Sequence, residues 1–206
     1  INTNNELLIN FLNYKKKENS DALIVIKGKL KKNNQIIFNL LSLKEKNNKI
    51  IFKNLDLSKN FKIISLESFS LDYRNNKKIQ NKLFFKKQNT GHIIIGKSFD
   101  ATELINKIMN SEDENSSIFS NFNSRIDIKI DKVFIDADNF VSDLSGSLNY
   151  KKNEINDLYL KSIFPNNKTI NLSIKTNDQK EKITKLFTNY PKPLIKRYDF
   201  IKGFDG

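Results

Sequence analysis

Few side chains of this 206-residue chain could carry chemistry, and their spacing limits what that chemistry could be. The single histidine, His92, stands in Gly91-His-Ile-Ile-Ile95. A zinc site or a nucleophilic triad needs further partners, and the chain has no cysteine and no second histidine, so His92 reads as a structural or exposed residue. Carboxylates recur at Asp127, Asp131, Asp136 and Asp138. On a strand these i, i+2 and i, i+4 pairs share the solvent side, and they read as surface charges rather than a glycosidase acid–base pair. Gly91-x-x-x-x-Gly96-Lys97-Ser98 matches the letters of a phosphate-binding loop. Its four intervening residues, His-Ile-Ile-Ile, make a strand and not a backbone cradle. Without a positioned nucleophile, base or ligand set, the chain reads as a non-enzyme with no cofactor and no metal site.

Charge is the next constraint. Lys+Arg 36 against Asp+Glu 23 gives +13, a balance that a nucleic acid or a membrane surface would attract. The lysines are spread through every segment, however, and only Arg74, Arg125 and Arg197 could contact a phosphate bidentately. Asn, Lys and Ile dominate, so the charge reads first as the bias of an AT-rich genome. The basic stretches nearest to aromatics are Phe84-Phe85-Lys86-Lys87 and Tyr190 to Tyr198; the phenylalanines read as core, and no nucleic-acid partner is expected. A hydrophobic content of 38% with 16 Phe excludes a disordered chain. No apolar stretch approaches the ~18 residues of a membrane-spanning helix.

The elements that must position these residues follow a period of two. Ile126, Ile128 and Ile130 alternate with Asp127, Lys129 and Asp131; Leu144, Gly146 and Leu148 with serines and Asn149; Ile170, Leu172 and Ile174 with Asn171, Ser173 and Lys175. Each run places apolar side chains on one sheet face and polar ones on the other, which predicts an antiparallel sheet with one wet face. Strands are predicted at 22–30, 35–44, 49–57, 61–74, 79–87, 91–97, 124–137, 142–151, 155–163 and 168–176. Short polar breaks such as Lys31-Lys-Asn-Asn34, Lys46-Asn-Asn-Lys49, Asn75-Asn-Lys-Lys78, Lys151-Lys-Asn153 and Pro165-Asn-Asn-Lys168 read as hairpin turns. The apolar phase moves after Ile130 to Val133 and Ile135, which predicts a bulge near Asp131-Lys132. Two helices are predicted: 100–110, from the capping pattern Asp100-x-x-Glu103 and the stripe Ala101, Leu104, Ile105, Ile108; and 178–189, from Asp178-x-x-Glu181 and Ile183, Leu186, Phe187, Tyr190. Glu6 to Tyr14 fits a short helix or a strand equally.

The fold class is therefore mostly β: an antiparallel meander forming an elongated, curved or groove-shaped sheet with two short helices. Two similar units are drawn, residues 1–110 and 122–206, joined by an acidic, serine-rich linker at 111–121. Two short helices cannot cover so many strands, so the sheet either folds into a packed sandwich or leaves apolar surface for a ligand. An acyl chain suits such a surface. Each exposed CH₂ costs ~0.8 kcal/mol, and two chains cost roughly 20 kcal/mol or more in water. Ile126, Ile128, Ile130, Leu144, Leu148, Ile170, Leu172 and Ile174 are the residues expected to line the groove.

Two stretches resemble the AsmA-like superfamily, in particular the large YhdP-like envelope proteins of proteobacteria. One is Gly96-Lys-Ser-Phe-Asp-Ala-Thr-Glu-Leu-Ile105, similar to a strand exit followed by a short helix in that family. The other runs from Phe122 to Gly206 and carries Leu144-Ser-Gly-Ser-Leu148 and Thr176-x-Asp178 in the family's order, ending in Lys202-Gly-Phe-Asp-Gly206. It departs from the family at Gln179-Lys180, where Ala or Gly often follows the Asp. The resemblance implies a β-rich periplasmic protein with a hydrophobic groove that moves phospholipid between the inner and outer membranes and supports envelope integrity. It also implies an anchor in the inner membrane through a helix outside this chain, because Ile1 and the ending at Gly206 read as cuts. The matched motifs are structural and imply no catalytic residue.

Overall fold

A computed structural model describes residues 1–31, 34–110, 122–151 and 154–198. The 111–121 linker and the ending after Tyr198 lie outside the described residues. The N-terminal segment forms β1 (Asn2–Thr3), β2 (Leu7–Ile9), a 3-10 turn (Asn10–Leu12) and β3 (Tyr14–Lys16). The meander follows: β4 (Ala22–Leu30), β5 (Ile36–Glu45), β6 (Asn48–Leu57), β7 (Ile63–Arg74), β8 (Gln80–Gln88) and β9 (Gly91–Asp100). Helix α1 (Thr102–Asn110) leads to β10 (Ser124–Phe134), β11 (Phe140–Lys151), β12 (Glu154–Ile163), β13 (Thr169–Thr176) and β14 (Lys182–Thr188), and α2 (Lys192–Tyr198) closes the series. All ten predicted strands are present within a few residues of their expected bounds.

Twelve strands form one sheet in the order β1-β4-β5-β6-β7-β8-β9-β10-β11-β12-β13-β14. The sheet is long, curved and not closed into a barrel. It departs from the expected antiparallel order at one place, where β9 and β10 pair in parallel with His92 opposite Ile126 and Ile94 opposite Ile128. The connection through α1 is long enough to return the chain in the same direction, which a hairpin cannot do. Strands β1 and β4 to β9 before α1 and strands β10 to β14 after it thereby share one sheet.

Turn chemistry explains the regular spacing. At 31–35, 58–62, 75–79, 164–168 and 177–181 the first N–H donates to the fifth carbonyl, and the fourth N–H donates to the first carbonyl. The fourth residue is left-handed each time: Asn34, Phe61, Lys78, Asn167 and Lys180. Asn tolerates that conformation best, which is why Asn-rich breaks mark the hairpins.

The last of these turns overturns the predicted helix at 178–189. Asn177 N–H donates to the Glu181 carbonyl at 2.9 Å, Glu181 N–H donates to Asn177 Oδ1 at 2.8 Å, and β14 then pairs with β13 from Ile170–Thr188 to Thr176–Lys182. Ile183, Leu186 and Phe187 have helical spacing, but the turn at 177–181 sends the chain back along β13, and the segment pairs there as the edge strand of the sheet. The second helix starts instead at Lys192, where Pro193 sits in the first turn and needs no N–H partner.

The predicted bulge is also relocated. Register across β10–β11 runs unbroken from Ile130–Leu144 to Val133–Val141. The irregularity is on β11, where Asp143 is left-handed (φ 54°) and the β11–β12 register slips between Ser142 and Ser145. Ile130 and Leu144 precede the change of phase and Val133 and Val141 follow it, and all four pack in one cluster.

That cluster gathers at one end of the sheet. Leu43, Ile50, Leu71, Tyr73, Leu83, Ile130, Val133, Val141 and Phe164 are buried there under Leu12 and Tyr14 of the N-terminal segment and Ala101 at the start of α1. Tyr73 Oη donates to the Leu12 carbonyl at 2.8 Å, and the Tyr14 and Tyr73 rings meet edge to face at 5.6 Å. Glu45 is buried, which by itself raises its pKa, but hydrogen bonds from Ser20, Tyr14 and Asn48 and the Lys16 charge hold the carboxyl below its ordinary range. Lys16, also buried, donates to the Asn5 and Lys17 carbonyls at 2.6 and 3.1 Å. On the other side of the plug, Asp100 accepts from Asn75 Nδ2 (2.7 Å), Thr102 N (3.0 Å) and Thr102 Oγ1 (2.5 Å), so it caps α1 and ties it to the β7–β8 turn. Within α1, Ile105 packs on the cluster while Leu104 is exposed.

Candidate functional site

Among the described residues, the apolar face of the sheet is a feature that the strands organise in common. Register assigns its members. Ile126, Ile128 and Ile130 lie opposite Leu148, Gly146 and Leu144. Leu148 and Gly146 lie opposite Leu158 and Leu160, which lie opposite Ile174 and Leu172, and Ile170 lies one pair further along. All eight predicted groove residues therefore share one face. The same face continues through Ile94, Phe85, Phe69 and Phe52 to Leu41 and Ile26.

The face is not uniform. At its centre it is packed: Ile126 is 9% and Ile130 5% exposed. Phe52, Phe69 and Phe85 form a cross-strand ladder, with Phe69 and Phe85 stacked at 5.0 Å, and Phe122 folds over it at 6.3 Å from Phe85. Toward both edges the cover runs out. On β4, Ile26 and Leu30 are 53% and 67% exposed, and on β14 Leu186 is 45% exposed. Ile170, Leu172 and Ile174 are intermediate. The curved face is thus a trough that is buried along its floor, covered at the α1 end by Leu12, Tyr14 and Ala101, and exposed along its two apolar walls. Two further clefts, about 520 Å³ beside Arg125 and Asp157 and about 410 Å³ beside Asp72 and Arg74, have mixed polar linings and belong to the outer face.

The residues with catalytic letters are accounted for locally. Lys97 pairs with Asp131 at 3.0 Å and Ser98 Oγ donates to the Gln80 carbonyl, so the phosphate-loop letters lie on a strand as expected. Asp127 pairs with Arg125 at 3.2 Å, and Asp136 accepts from Asp138 N and Asn139 N, both at 2.7 Å, in the β10–β11 turn. Among the described residues no group of three or more His, Cys, Asp or Glu could hold a metal ion.

His92 belongs to the floor of the trough. Its ring stacks on Phe85 at 4.7 Å and meets Phe122 at 5.1 Å. Nε2 lies 3.1 Å from the Leu66 carbonyl, which only accepts, so Nε2 carries the proton; Nδ1 faces Ser124 Oγ at 2.6 Å. Burial holds the imidazole pKa below its ordinary value; the Leu66 carbonyl opposes this and the Lys87 charge adds to it. The unfolded chain thus binds a proton here more readily than the folded one. The stabilisation is complete above the unfolded pKa of about 6.5 and is lost as the pH falls through the lower folded value. Denaturation midpoints measured from about pH 7.5 down to pH 5 will fall more steeply in the wild type than in His92→Gln, and parallel profiles would remove His92 from this role.

The aromatic cover by Phe122 and the walls at Ile26, Leu30 and Leu186 were missed in the sequence reading. Alternation at Ala22, Ile24 and Ile26 was the available signal for the first wall. No protein-family model matches the chain, and neither a curated protein nor a solved structure matches it.

Proposed function

We propose that this chain is a segment of an AsmA-like, YhdP-like envelope protein, located in the periplasm and anchored to the inner membrane by a segment outside this chain. In this role the trough carries phospholipid acyl chains between inner and outer membranes and so supports envelope integrity. One observation carries the reading: apolar residues of a single continuous face become exposed at both edges, at Ile26, Leu30 and Leu186, while the centre of that face is packed. A face built only as a core would end in polar residues where its cover ends. The two motif stretches at Gly96–Ile105 and Phe122–Gly206 support the family assignment.

The open walls suit chains and not headgroups. A methylene laid against Leu172, Ile174 and Leu186 recovers up to ~0.8 kcal/mol, so a diacyl lipid of ordinary length has enough surface for stable binding after the cost of ordering. No step of this role needs a nucleophile or an acid–base pair. Burial of Ile126 and Ile130 favours a second reading, a scaffolding sheet without a ligand. Native mass spectrometry of protein purified from a bacterial envelope in mild detergent separates the two. The transport reading predicts adducts of phospholipid mass that dissociate on activation; bare protein in the presence of excess phospholipid supports the scaffold.

A further inference from the structure

We infer that the unplugged end of the trough is a contact for an anionic bilayer surface, made by the β4–β5 and β6–β7 hairpins with Phe61 as its inserting residue. The five hairpins that share one turn geometry carry Asn or Lys at the left-handed position in four cases and Phe61 in the fifth. A bulky side chain is the costly choice there, and Asn60 stands next to it in the sequence. The turn that presents Phe61 is closed by hydrogen bonds: Phe61 N–H donates to the Ser58 carbonyl at 2.9 Å and Lys62 N–H donates to Ser58 Oγ at 3.1 Å. It is 67% exposed, and burial against its own chain does not explain it.

The surroundings name the partner. Leu30, Ile36, Leu57 and Ile63 form one cross-strand row at this rim, on the face that lines the trough. The described residues of 29–37 and 56–63 include Lys29, Lys31, Lys59 and Lys62 against Asp56 alone. Lys29, Lys31 and Lys59 are exposed and form no ion pair among the described residues. An aromatic tip, an apolar row and a surplus of lysines are the requirements of an anionic lipid interface: the ring enters the headgroup region and the ammonium groups meet lipid phosphates. The contact does not depend on lipid being carried in the trough, although it would place the open end where a lipid could enter.

Flotation with vesicles tests it. The protein is expected to float with vesicles of phosphatidylcholine and phosphatidylglycerol, less with phosphatidylcholine alone, and less at high salt. Phe61→Asn installs the residue type used at Asn34 and Asn167, so thermal stability is kept or raised while partitioning falls about ten-fold. Lys31→Gln and Lys59→Gln each lower partitioning about five-fold on anionic vesicles and little on neutral ones. Undiminished flotation of Phe61→Asn, or no flotation of the wild type, overturns the inference. So does concentration-dependent self-association that Phe61→Asn abolishes, which would assign the rim to a second copy. Flotation by protein that carries no lipid in native mass spectrometry upholds this contact and sinks the transport reading alone.

Discussion

Gly146→Ala will destabilise the fold by about 3 kcal/mol or more, although it adds one methyl group to an apolar face. Gly146 sits at the middle of β11 with φ +157°, opposite Ile128 on β10 and Leu160 on β12. A Cβ there would lie 1.8 Å from the Tyr159 carbonyl oxygen and 2.8 Å from its carbon. Both are backbone atoms held in the ladder, so no rotamer change can relieve the contact. Either β11 and β12 separate at their centre, or the residue leaves its conformation and drags Leu144 and Leu148 out of register. Ser145→Ala, one residue away on the outer face, is the control and should stay within about 0.5 kcal/mol of wild type. Urea midpoints of the three proteins measure the effect, and equal midpoints for Gly146→Ala and Ser145→Ala would mean that β11 does not pack against β12 in this way.

Asp100→Ala comes second, with an expected loss of about 3 kcal/mol. The buried carboxylate accepts three hydrogen bonds, from Asn75 and twice from Thr102, and its own N–H donates to Asn81 Oδ1 at 2.8 Å. Removing it strips the cap of α1 and strands three buried donors, a larger penalty than the loss of one exposed bond. The damage should be local before it is global: the Ile105 amide, bonded to the Ala101 carbonyl at 2.8 Å, will exchange faster with solvent than amides in β6 and β7. Asp100→Asn keeps the acceptor for Thr102 and should lose less. A uniform rise in exchange across the sheet would contradict the view that Asp100 acts by fixing the plug.

These two sites show what could and could not be read before the fold was known. Gly146 was legible as part of Leu144-Ser-Gly-Ser-Leu148, a strand with a glycine at an inward position, but the approach of the Tyr159 carbonyl depends on the register of β12 against β11, which has no sequence signature. Asp100 was legible as a helix start, because a capping pattern is local. Its bond to Asn75 was not, being 25 residues distant and made only when β7, β8 and β9 align. Period-two alternation named ten strands because the wet and dry faces of a sheet impose it directly. It failed at 182–188, where Ile183, Leu186 and Phe187 satisfy helical spacing and are largely exposed in the strand, so burial did not discriminate. The N-terminal segment was ambiguous for a related reason: two short strands and a 3-10 turn give no run long enough to show a period, and their place is set by contacts of Leu12 and Tyr14 with Tyr73, far away in sequence.

The central claim is that one face of this sheet holds acyl chains and the other does not. The period of a strand offers the sharpest test, since Leu172 and Ile174 point into the trough while Ser173 between them points away. A photo-reactive side chain placed singly at 172, 173 and 174, activated in envelope-containing cells, should give phospholipid adducts at 172 and 174 and none at 173. Adducts at 173 as abundant as at its neighbours, or none at any of the three, would contradict the account.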